Sequence, residues 1–133
     1  MSVGQTAAFT KTVTETDVVL YAGITGDMNP AHLDDTWATA SRFGGRIAHG
    51  MLTAGFISAV MGMHLPGPGT IYLQQTLRFA RPVKIGDTIT ARAEVLELVP
   101  EKRRARMKTT VENQRGEIVL EGEALVMLDE AQG

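Results

Sequence analysis

Residues 51–65, MLTAGFISAVMGMHL, are the most apolar stretch of this chain, interrupted only by one threonine, one serine and one histidine. A helix of this composition has no face that prefers water. The stretch is shorter than the roughly 20 apolar residues that a membrane-spanning helix needs. A Pro-Gly-Pro-Gly loop follows it, and proline does not continue a helix. We therefore predict a central helix that begins after Gly50 and is buried on all sides.

The segments after this helix alternate apolar and polar residues with a period of two, which is typical of strands with one buried face. The residues predicted to face the core are Ile71, Leu73, Leu77 and Phe79; Ile89, Ala91, Ala93 and Val95; Ala105, Met107, Thr109 and Val111; and Ile118, Leu120, Ala124, Val126 and Leu128. Short turns join these segments, so we expect neighbours in sequence to pair antiparallel. Their inner face needs something to pack on, and the central helix supplies it.

The chain before the central helix adds a strand and shorter helices. Alternation over residues 7–13 predicts a first strand, and Thr14 is a suitable N-cap for the helix that follows it. That helix should stop where the polar segment 26–49 begins. A segment this long between two helices is usually functional. Within it, Asp34 or Asp35 can cap a short helix that continues to Phe43.

The composition limits the possible functions. A chain of 133 residues makes one domain, residues 1–133, of the α+β class, which can bury a core without disulfides or metals. The absence of cysteine removes a thiolate nucleophile and a cysteine-ligated zinc site. The formal charge is −2, so nucleic acids and anionic membranes are not expected partners. The start, MSVGQTAAFTKT, lacks the basic and apolar regions of a signal peptide, so we expect a cytoplasmic protein.

Reactive side chains cluster in the sequence DMNPAHLDD. Asp27 and His32 are five residues apart, which is the wrong spacing for one helix face, but the Asn-Pro turn between them can aim both inward. A carboxylate and an imidazole that converge on one cavity can hold and activate a water. Asn29 can fix the orientation of that water. Asp34 and Asp35 are expected to be helix caps rather than further acids.

The start of the central helix can supply the second half of a site. The N–H groups at a helix N-terminus are free, and together with the positive end of the dipole they can stabilise a developing oxyanion. Gly50 lets a substrate carbonyl approach this backbone closely. His49 is expected to hydrogen-bond the loop or to pack at the helix start, beside the substrate, rather than to transfer a proton.

Two motifs, GDMNPAHLDD and IAHGML, resemble the signature of the MaoC-like hydratases, the (R)-specific enoyl-CoA hydratases of the hydratase 2 type. The segment PGPGTIYLQQTLRFARPVKIGDTIT is similar to the family's strand after the central helix, so the resemblance covers most of the chain. It implies the hot-dog fold, with Asp27 and His32 as the catalytic pair, Asn29 as their support and the Gly50 N–H as an oxyanion donor. It also implies reversible hydration of trans-2-enoyl-CoA to (R)-3-hydroxyacyl-CoA without a cofactor. Hot-dog proteins pair their sheets edge to edge, so we expect a homodimer or a dimer of dimers.

Other functions stay open at this stage. A 3-hydroxyacyl-ACP dehydratase would use the same site in reverse on an acyl-carrier-protein substrate. A hot-dog thioesterase would direct an activated water at the carbonyl, although such enzymes do not usually carry the paired motif. A non-catalytic acyl-CoA-binding module would tolerate loss of Asp27 or His32, yet both are present. A metal site on Asp27, His32 and Asp34 is disfavoured because neither E-x-x-H nor H-E-x-x-H occurs.

The substrate's two ends can be assigned candidate residues. If the thioester carbonyl lies at Gly50, helical spacing selects Ala54, Ser58 and Met61 as the lining for the acyl tail. The first two are small, and Met61 is large but adaptable, so we predict short enoyl chains with Met61 at the far end. The candidates for the coenzyme A phosphates include Arg42, Arg46, Arg78, Arg81 and Lys84, and the sequence does not rank them. Arg103, Arg104 and Arg106 form a basic patch, but on an alternating strand such a patch is more often a solvated face than a phosphate clamp.

Overall fold

The computed structural model describes residues 1–129. Its elements are β1 (Thr6–Thr12), α1 (Glu15–Thr25), α2 (Pro30–Leu33), α3 (Asp35–Ala40), α4 (Gly50–Met63), β2 (Thr70–Gln75), β3 (Arg78–Phe79), β4 (Thr88–Val99), β5 (Arg104–Glu112) and β6 (Ile118–Leu128). A short 3-10 turn at Pro100–Lys102 joins β4 to β5. Residues 130–133 of the predicted domain lie outside the described residues.

The strands form one antiparallel sheet in the order β1-β4-β5-β6-β2, and the short β3 also pairs with β6. The pairings of β4 with β5 and of β5 with β6 confirm that sequence neighbours pair. That prediction is wrong for β2 and β3, which pair with β6 instead of β4. Both edges of β4 are already occupied, by β1 and by β5, so the strands after the central helix take the free edge of β6.

The predicted strand over residues 71–79 is split between β2 and β3. The backbone of Thr76 passes over Gly122 of β6, where an added Cβ would lie 1.8 Å from the Thr76 carbonyl oxygen. Ile71, Leu73 and Phe79 were predicted to face the core, but they are exposed. They lie at the edge of the sheet, where a single chain has nothing to cover them.

The core lies between the inner face of the sheet and α4. The predicted inward-facing rows of β4 and β5 are confirmed as buried: Ile89, Ala91, Ala93, Val95, Ala105, Met107, Thr109 and Val111. Each large apolar side chain buried in this way contributes about 1.5–3 kcal/mol. The outer face is polar instead, with ion pairs such as Arg92–Glu112 at 3.2 Å and Arg106–Glu123 at 3.1 Å.

The central helix is confirmed as α4, but only one of its faces is buried in the single chain. The buried side chains are Thr53, Ile57, Val60 and Met61, and the exposed residues include Met51, Gly55, Ser58, Gly62 and Met63. Burial on all sides was therefore the wrong prediction for one chain, because a single sheet covers only one side of a helix. No helix within residues 1–129 is both long enough and apolar enough to cross a membrane.

The helix before the site begins and ends as predicted. The Thr14 hydroxyl accepts from the Asp17 N–H at 3.1 Å, and the Asp17 carboxylate accepts from the Thr14 N–H at 2.9 Å, which completes a capping box. The helix ends at Gly26, whose φ of 83° lies in the left-handed region that glycine tolerates. Asp34 caps α3 as predicted, although this helix ends at Ala40.

Candidate active site

Asp27 is held by the turn that leaves α1. Its Oδ1 accepts a hydrogen bond from the Asn29 N–H at 3.2 Å, and its own N–H donates to the Thr25 hydroxyl at 3.2 Å. The first of these bonds forms an Asx-type turn. The side chain is nevertheless exposed in the single chain, so one carboxylate oxygen remains open to a substrate or a water.

Asn29 caps the short helix α2, which carries His32 close to Asp27. Its Oδ1 accepts from the Ala31 N–H at 2.9 Å and so caps the single turn of α2, with Pro30 in the first turn. This short helix was not predicted as a separate element. The side-chain oxygen of Asn29 is therefore hydrogen-bonded to the backbone, and only the amide N–H₂ group is left to orient a water.

His32 is held in one tautomer by the segment before α4. Its Nδ1 lies 2.7 Å from the Ile47 carbonyl oxygen. A carbonyl only accepts, so Nδ1 carries the proton and Nε2 of the neutral ring has a free lone pair. The structure thus prepares Nε2 to accept a proton.

Arg46 supports His32 from behind, which sequence reasoning missed. Its Nε donates to the His32 carbonyl at 2.7 Å, and its Nη1 pairs with Glu15 at 2.6 Å. The Arg46 side chain is only 9% exposed. The sequence named this arginine as a candidate for phosphate binding, but these contacts give it a structural role. Glu15 and Arg46 are 31 residues apart, so no local spacing predicts their contact.

His49 joins the two halves of the site. It is 2% exposed, and its Nε2 lies 3.0 Å from the Asp27 carbonyl oxygen, so Nε2–H is the donor. Its ring stacks on His32 with centroids 3.8 Å apart and an interplanar angle of 28°. Tyr21 packs against its ring at 4.7 Å. The structure therefore gives His49 the loop-bonding and packing role that the sequence favoured, and its Nδ1 is buried with no partner among residues 1–129.

The same three side chains could be considered as a metal site. Asp27, His32 and His49 each offer a ligand atom within 4.8 Å of the others. The nitrogen lone pairs of the two rings lie in their ring planes, which are stacked at an angle of only 28°, whereas ligation of one ion needs lone pairs that converge. Asp34, which the sequence placed in the alternative metal set, uses its Oδ1 to accept from the Trp37 N–H at 3.0 Å. The geometry favours acid–base chemistry, and the absence of a resident metal stays a prediction.

Gly50 begins α4 directly after His49. Its N–H finds no acceptor among residues 1–129, as expected for the first turn of a helix. The Phe79 ring lies against this residue, since an added Cβ at Gly50 would be 2.7 Å from the Phe79 Cε1 atom. Any side chain at this position would therefore have to displace the Phe79 ring, a contact that the sequence did not indicate. The residue with this free N–H directly follows His49 in the chain.

One groove is lined by Gly50 at the start of α4 and by residues 79–83, and we call it the Arg42 groove. It has a volume of about 360 Å³. Its lining includes Arg42, Phe43, Gly50, Thr53, Phe79, Arg81, Val83 and Leu120. The Thr53 hydroxyl is buried and has no hydrogen-bond partner among the described residues.

A second groove runs along the exposed face of α4, and we call it the Ser58 groove. It has a volume of about 430 Å³ and is lined by Met51, Ala54, Gly55, Ser58, Tyr72, Leu73, Gln74, Gln75 and Leu77. Burial raises the pKa of Tyr72 to about 12, so its hydroxyl is neutral and donates to the Gln75 side chain. Met61 is fully buried and lines neither groove. The structure thus brings Ala54 and Ser58 together in this groove and leaves Met61 in the core.

Comparison with known proteins places this chain in the family that its two motifs indicated. A family model described as MaoC like domain matches residues 2–119. An (R)-specific enoyl-CoA hydratase from Rhodospirillum rubrum is 53% identical over 125 residues, which cover 94% of this chain and 86% of that protein. A 3-hydroxybutyryl-CoA dehydratase from Methylorubrum extorquens is 52% identical over 126 residues, which cover 95% of this chain and 80% of that protein.

A solved structure agrees with these relatives. The unliganded R-hydratase PhaJ1 from Pseudomonas aeruginosa superposes with a TM-score of 0.93 at 52% identity, over 98% of this chain and 83% of that one. The predicted hot-dog fold, a central helix packed on an antiparallel sheet, is confirmed by this likeness. The sequence motifs, the family model and the relatives agree over nearly the whole chain, which therefore belongs to the MaoC-like domain family.

Proposed function

We propose that this chain is an (R)-specific enoyl-CoA hydratase, which adds water reversibly to a trans-2-enoyl-CoA and gives the (R)-3-hydroxyacyl-CoA. In the opposite direction the reaction is the dehydration of 3-hydroxybutyryl-CoA. The observation that carries the proposal is that the Asp27 carboxylate and a ring nitrogen of His32 lie within 4.8 Å of each other, while the Ile47 carbonyl binds Nδ1 of His32 and leaves Nε2 to accept a proton. Two relatives at more than half identity, named for the two directions, support it.

The pair suits the addition of water to a conjugated thioester. A water held between Asp27 and His32 forms its oxygen bond to C3 while one of the two groups takes its proton. The electrons of the double bond move to the thioester oxygen. C2 then takes a proton back from the pair, which restores both groups. Coupled groups share their protons, so the two steps are assigned to the pair and not to one residue.

The remaining site residues have supporting roles in this proposal. The Gly50 N–H stabilises the enolate oxygen with the help of the α4 dipole. Asn29 shapes the turn and offers its amide group to the water, and His49 borders the substrate while it holds the Asp27 backbone. The thioester itself acidifies the α-carbon, so the reaction needs no cofactor beyond the coenzyme A of the substrate. A cytoplasmic location remains a prediction.

The alternatives differ in their substrates and products. A 3-hydroxyacyl-ACP dehydratase would prefer crotonyl-ACP to crotonyl-CoA, whereas the relatives at more than half identity are named for CoA thioesters. A thioesterase would release free coenzyme A, which a thiol reagent detects. A non-catalytic acyl-CoA-binding module would bind the substrate without turnover. One assay of crotonyl-CoA, followed by absorbance, thiol release and the stereochemistry of the product, separates these functions.

Among enoyl-CoA substrates, we expect the highest kcat/KM for acyl chains of about four to six carbons. We propose that the acyl tail lies along Ala54 and Ser58 in the Ser58 groove, and that the end of the tail reaches Met61, three residues further along α4, although Met61 does not line the groove in the single chain. Longer tails should lose about 1–3 kcal/mol for each methylene that clashes. Met61→Ala removes side-chain volume where the acyl tail ends, so the chain length with the highest kcat/KM should increase. The measurement is a kcat/KM series over chain length for the two proteins.

Met61→Leu is the matched control, because it nearly conserves the volume of the side chain and should keep the wild-type profile. Met61 is fully buried, and truncation of such a residue costs about 2–5 kcal/mol of stability. Each variant is therefore shown to be folded at the assay temperature before its kinetics are compared. Identical profiles for wild type and Met61→Ala would rule out Met61 as the end of the pocket.

We also propose that the active unit is a homodimer or a dimer of dimers. The single chain exposes an apolar surface on β2 and α4, which includes Met51, Ile71 and Leu73. The strand β2 is at the edge of the sheet and can pair with a second β2 through its unpaired backbone groups. The outer face of the sheet carries ion pairs and offers no comparable apolar surface. A partner at β2 would also cover the Ser58 groove.

Light scattering at micromolar concentration should give at least twice the mass of one chain. Leu73→Lys places a charge in the proposed interface and should raise the dimer dissociation constant about tenfold or more, because an unpaired buried charge is costly. Val3→Lys adds the same charge at another exposed apolar position, outside β2 and α4, and should leave the dimer intact. A monomeric wild-type protein would contradict the proposed assembly.

A further inference from the structure

The Arg42 groove has no part in the acyl end of the substrate as proposed so far. It opens beside Gly50 and extends between the start of α4 and the end of the sheet, with an apolar wall that includes Phe43, Val83 and Leu120. Its volume of about 360 Å³ lies within the range of small-molecule sites. The groove has the size and the lining of a binding site.

The linings of the two grooves include adjacent residues at the start of α4. Gly50 lines the Arg42 groove, and its neighbour Met51 lines the Ser58 groove. A thioester carbonyl carbon has two substituents, the acyl chain and the sulfur that leads to the rest of coenzyme A. If the carbonyl oxygen lies on the Gly50 N–H and the acyl chain follows Ser58, the sulfur substituent must leave through another opening. The Arg42 groove is an opening that also contacts Gly50.

The cations near this groove are not equally available. Arg46 is buried in its pairs with Glu15 and the His32 carbonyl. Arg81 donates to the Ile118 carbonyl at 2.7 Å and lies 3.6 Å from Glu117. The Arg42 guanidinium lies 5.3 Å from the centre of the Phe43 ring, and no carboxylate within residues 1–129 pairs with it. Of the two arginines that line this groove, the structure therefore ranks Arg42 before Arg81 for binding an anionic group.

The groove also contains a polar group without a partner. Thr53 lines it, and the Thr53 hydroxyl is buried with no hydrogen-bond partner among the described residues. A buried hydroxyl without a partner costs free energy, so a ligand that supplies an amide N–H or carbonyl would be favoured there. The pantetheine arm of coenzyme A carries two amides between the sulfur and the phosphates. Its chemistry matches an apolar groove with one buried hydroxyl and an arginine where the groove meets solvent.

We infer that the Arg42 groove takes the pantetheine arm of the thioester and that Arg42 binds a phosphate of coenzyme A. This inference rests on the proposed hydratase function. A guanidinium presents several donors in a planar fork that fits a phosphate, and the neighbouring Phe43 ring supports it. Arg42 thereby makes coenzyme A thioesters better substrates than thioesters without phosphates.

The test compares two substrates with and without the phosphates. Crotonyl-CoA carries them, and the crotonyl thioester of N-acetylcysteamine has only the thioester end of the pantetheine arm. We expect Arg42→Gln to raise KM for crotonyl-CoA about tenfold or more with kcat little changed, as for the loss of a charge-assisted hydrogen bond. The same variant should leave kcat/KM for the truncated thioester unchanged. Arg92→Gln, on the outer face of the sheet, is the matched control and should change neither substrate.

Salt provides a second readout. KM of the wild type for crotonyl-CoA should rise with ionic strength, and Arg42→Gln should weaken this dependence because it removes the exposed charge pair. An equal loss of kcat/KM on both substrates, or no loss on crotonyl-CoA, would overturn the assignment of Arg42. If the wild type hydrated neither thioester, the proposed function itself would fail, so the two failures are distinguishable.

Discussion

Asp27→Asn and His32→Ala should each lower kcat for crotonyl-CoA hydration by about 10²- to 10⁴-fold, the range for loss of a positioned acid or base. Asparagine cannot take a proton at neutral pH, and alanine removes the Nε2 lone pair that the Ile47 carbonyl keeps free by binding Nδ1–H. The two groups share one water in the proposed mechanism. The double variant should therefore be no slower than the worse single variant, as for residues that act as a unit.

The controls are the same changes at nearby positions outside the cluster. Asp35→Asn alters a carboxylate on α3 that is 84% exposed and lies 3.8 Å from Arg46, and an ion pair so exposed contributes little. His64→Ala alters an exposed histidine at the end of α4, so both variants should retain wild-type turnover. Thermal unfolding of all four single variants checks that the catalytic losses are not losses of fold. A turnover of either catalytic variant within a few-fold of wild type would show that the acid–base pair has been misassigned.

The catalytic cluster was predictable because its information is local. Asp27, Asn29 and His32 lie within six residues of one another, and the turn chemistry of Asn-Pro decides how they face. The contacts that support the cluster are not local. Arg46 reaches Glu15, and His49 reaches the Asp27 carbonyl across 22 residues, so no spacing rule points to them.

The fold likewise has features that local sequence predicts and features that depend on long-range contacts. The inner rows of β4 and β5 follow the period of two in the sequence and were predicted residue by residue. The order of the strands depends instead on which edges are free, and β1 occupies an edge of β4 from far away in sequence. The exposed face of α4 was missed because an apolar segment indicates burial without saying whether its own chain or a partner covers it.

Gly122 lies at the most crowded crossing described above, and its role depends on two long-range contacts. It pairs with Thr109 of β5, whose hydroxyl donates to the Gly122 carbonyl at 3.0 Å. On its other side, the chain between β2 and β3 is held by Thr76, whose N–H donates to the Glu123 carbonyl at 2.8 Å. An added Cβ would lie 1.8 Å from the Thr76 carbonyl oxygen and 3.3 Å from the Leu77 nitrogen. Both obstacles are backbone atoms, so no side-chain rotation relieves the clash.

Gly122→Ala should therefore lower the free energy of unfolding by about 3 kcal/mol or more, at the upper end of the cost of overpacking. Gly23→Ala is the matched control, because Gly23 lies within α1 and an added Cβ there meets no atom within 4 Å. Alanine in a helix is favoured over glycine by roughly 0.5–1 kcal/mol, so this variant should be slightly more stable than wild type. Chemical unfolding at equal chain concentration measures all three proteins, since dimerisation makes stability depend on concentration. The same one-carbon addition should thus change stability in opposite directions at the two sites. A Gly122→Ala protein as stable as wild type would mean that the Thr76 backbone does not cross β6 as closely as described.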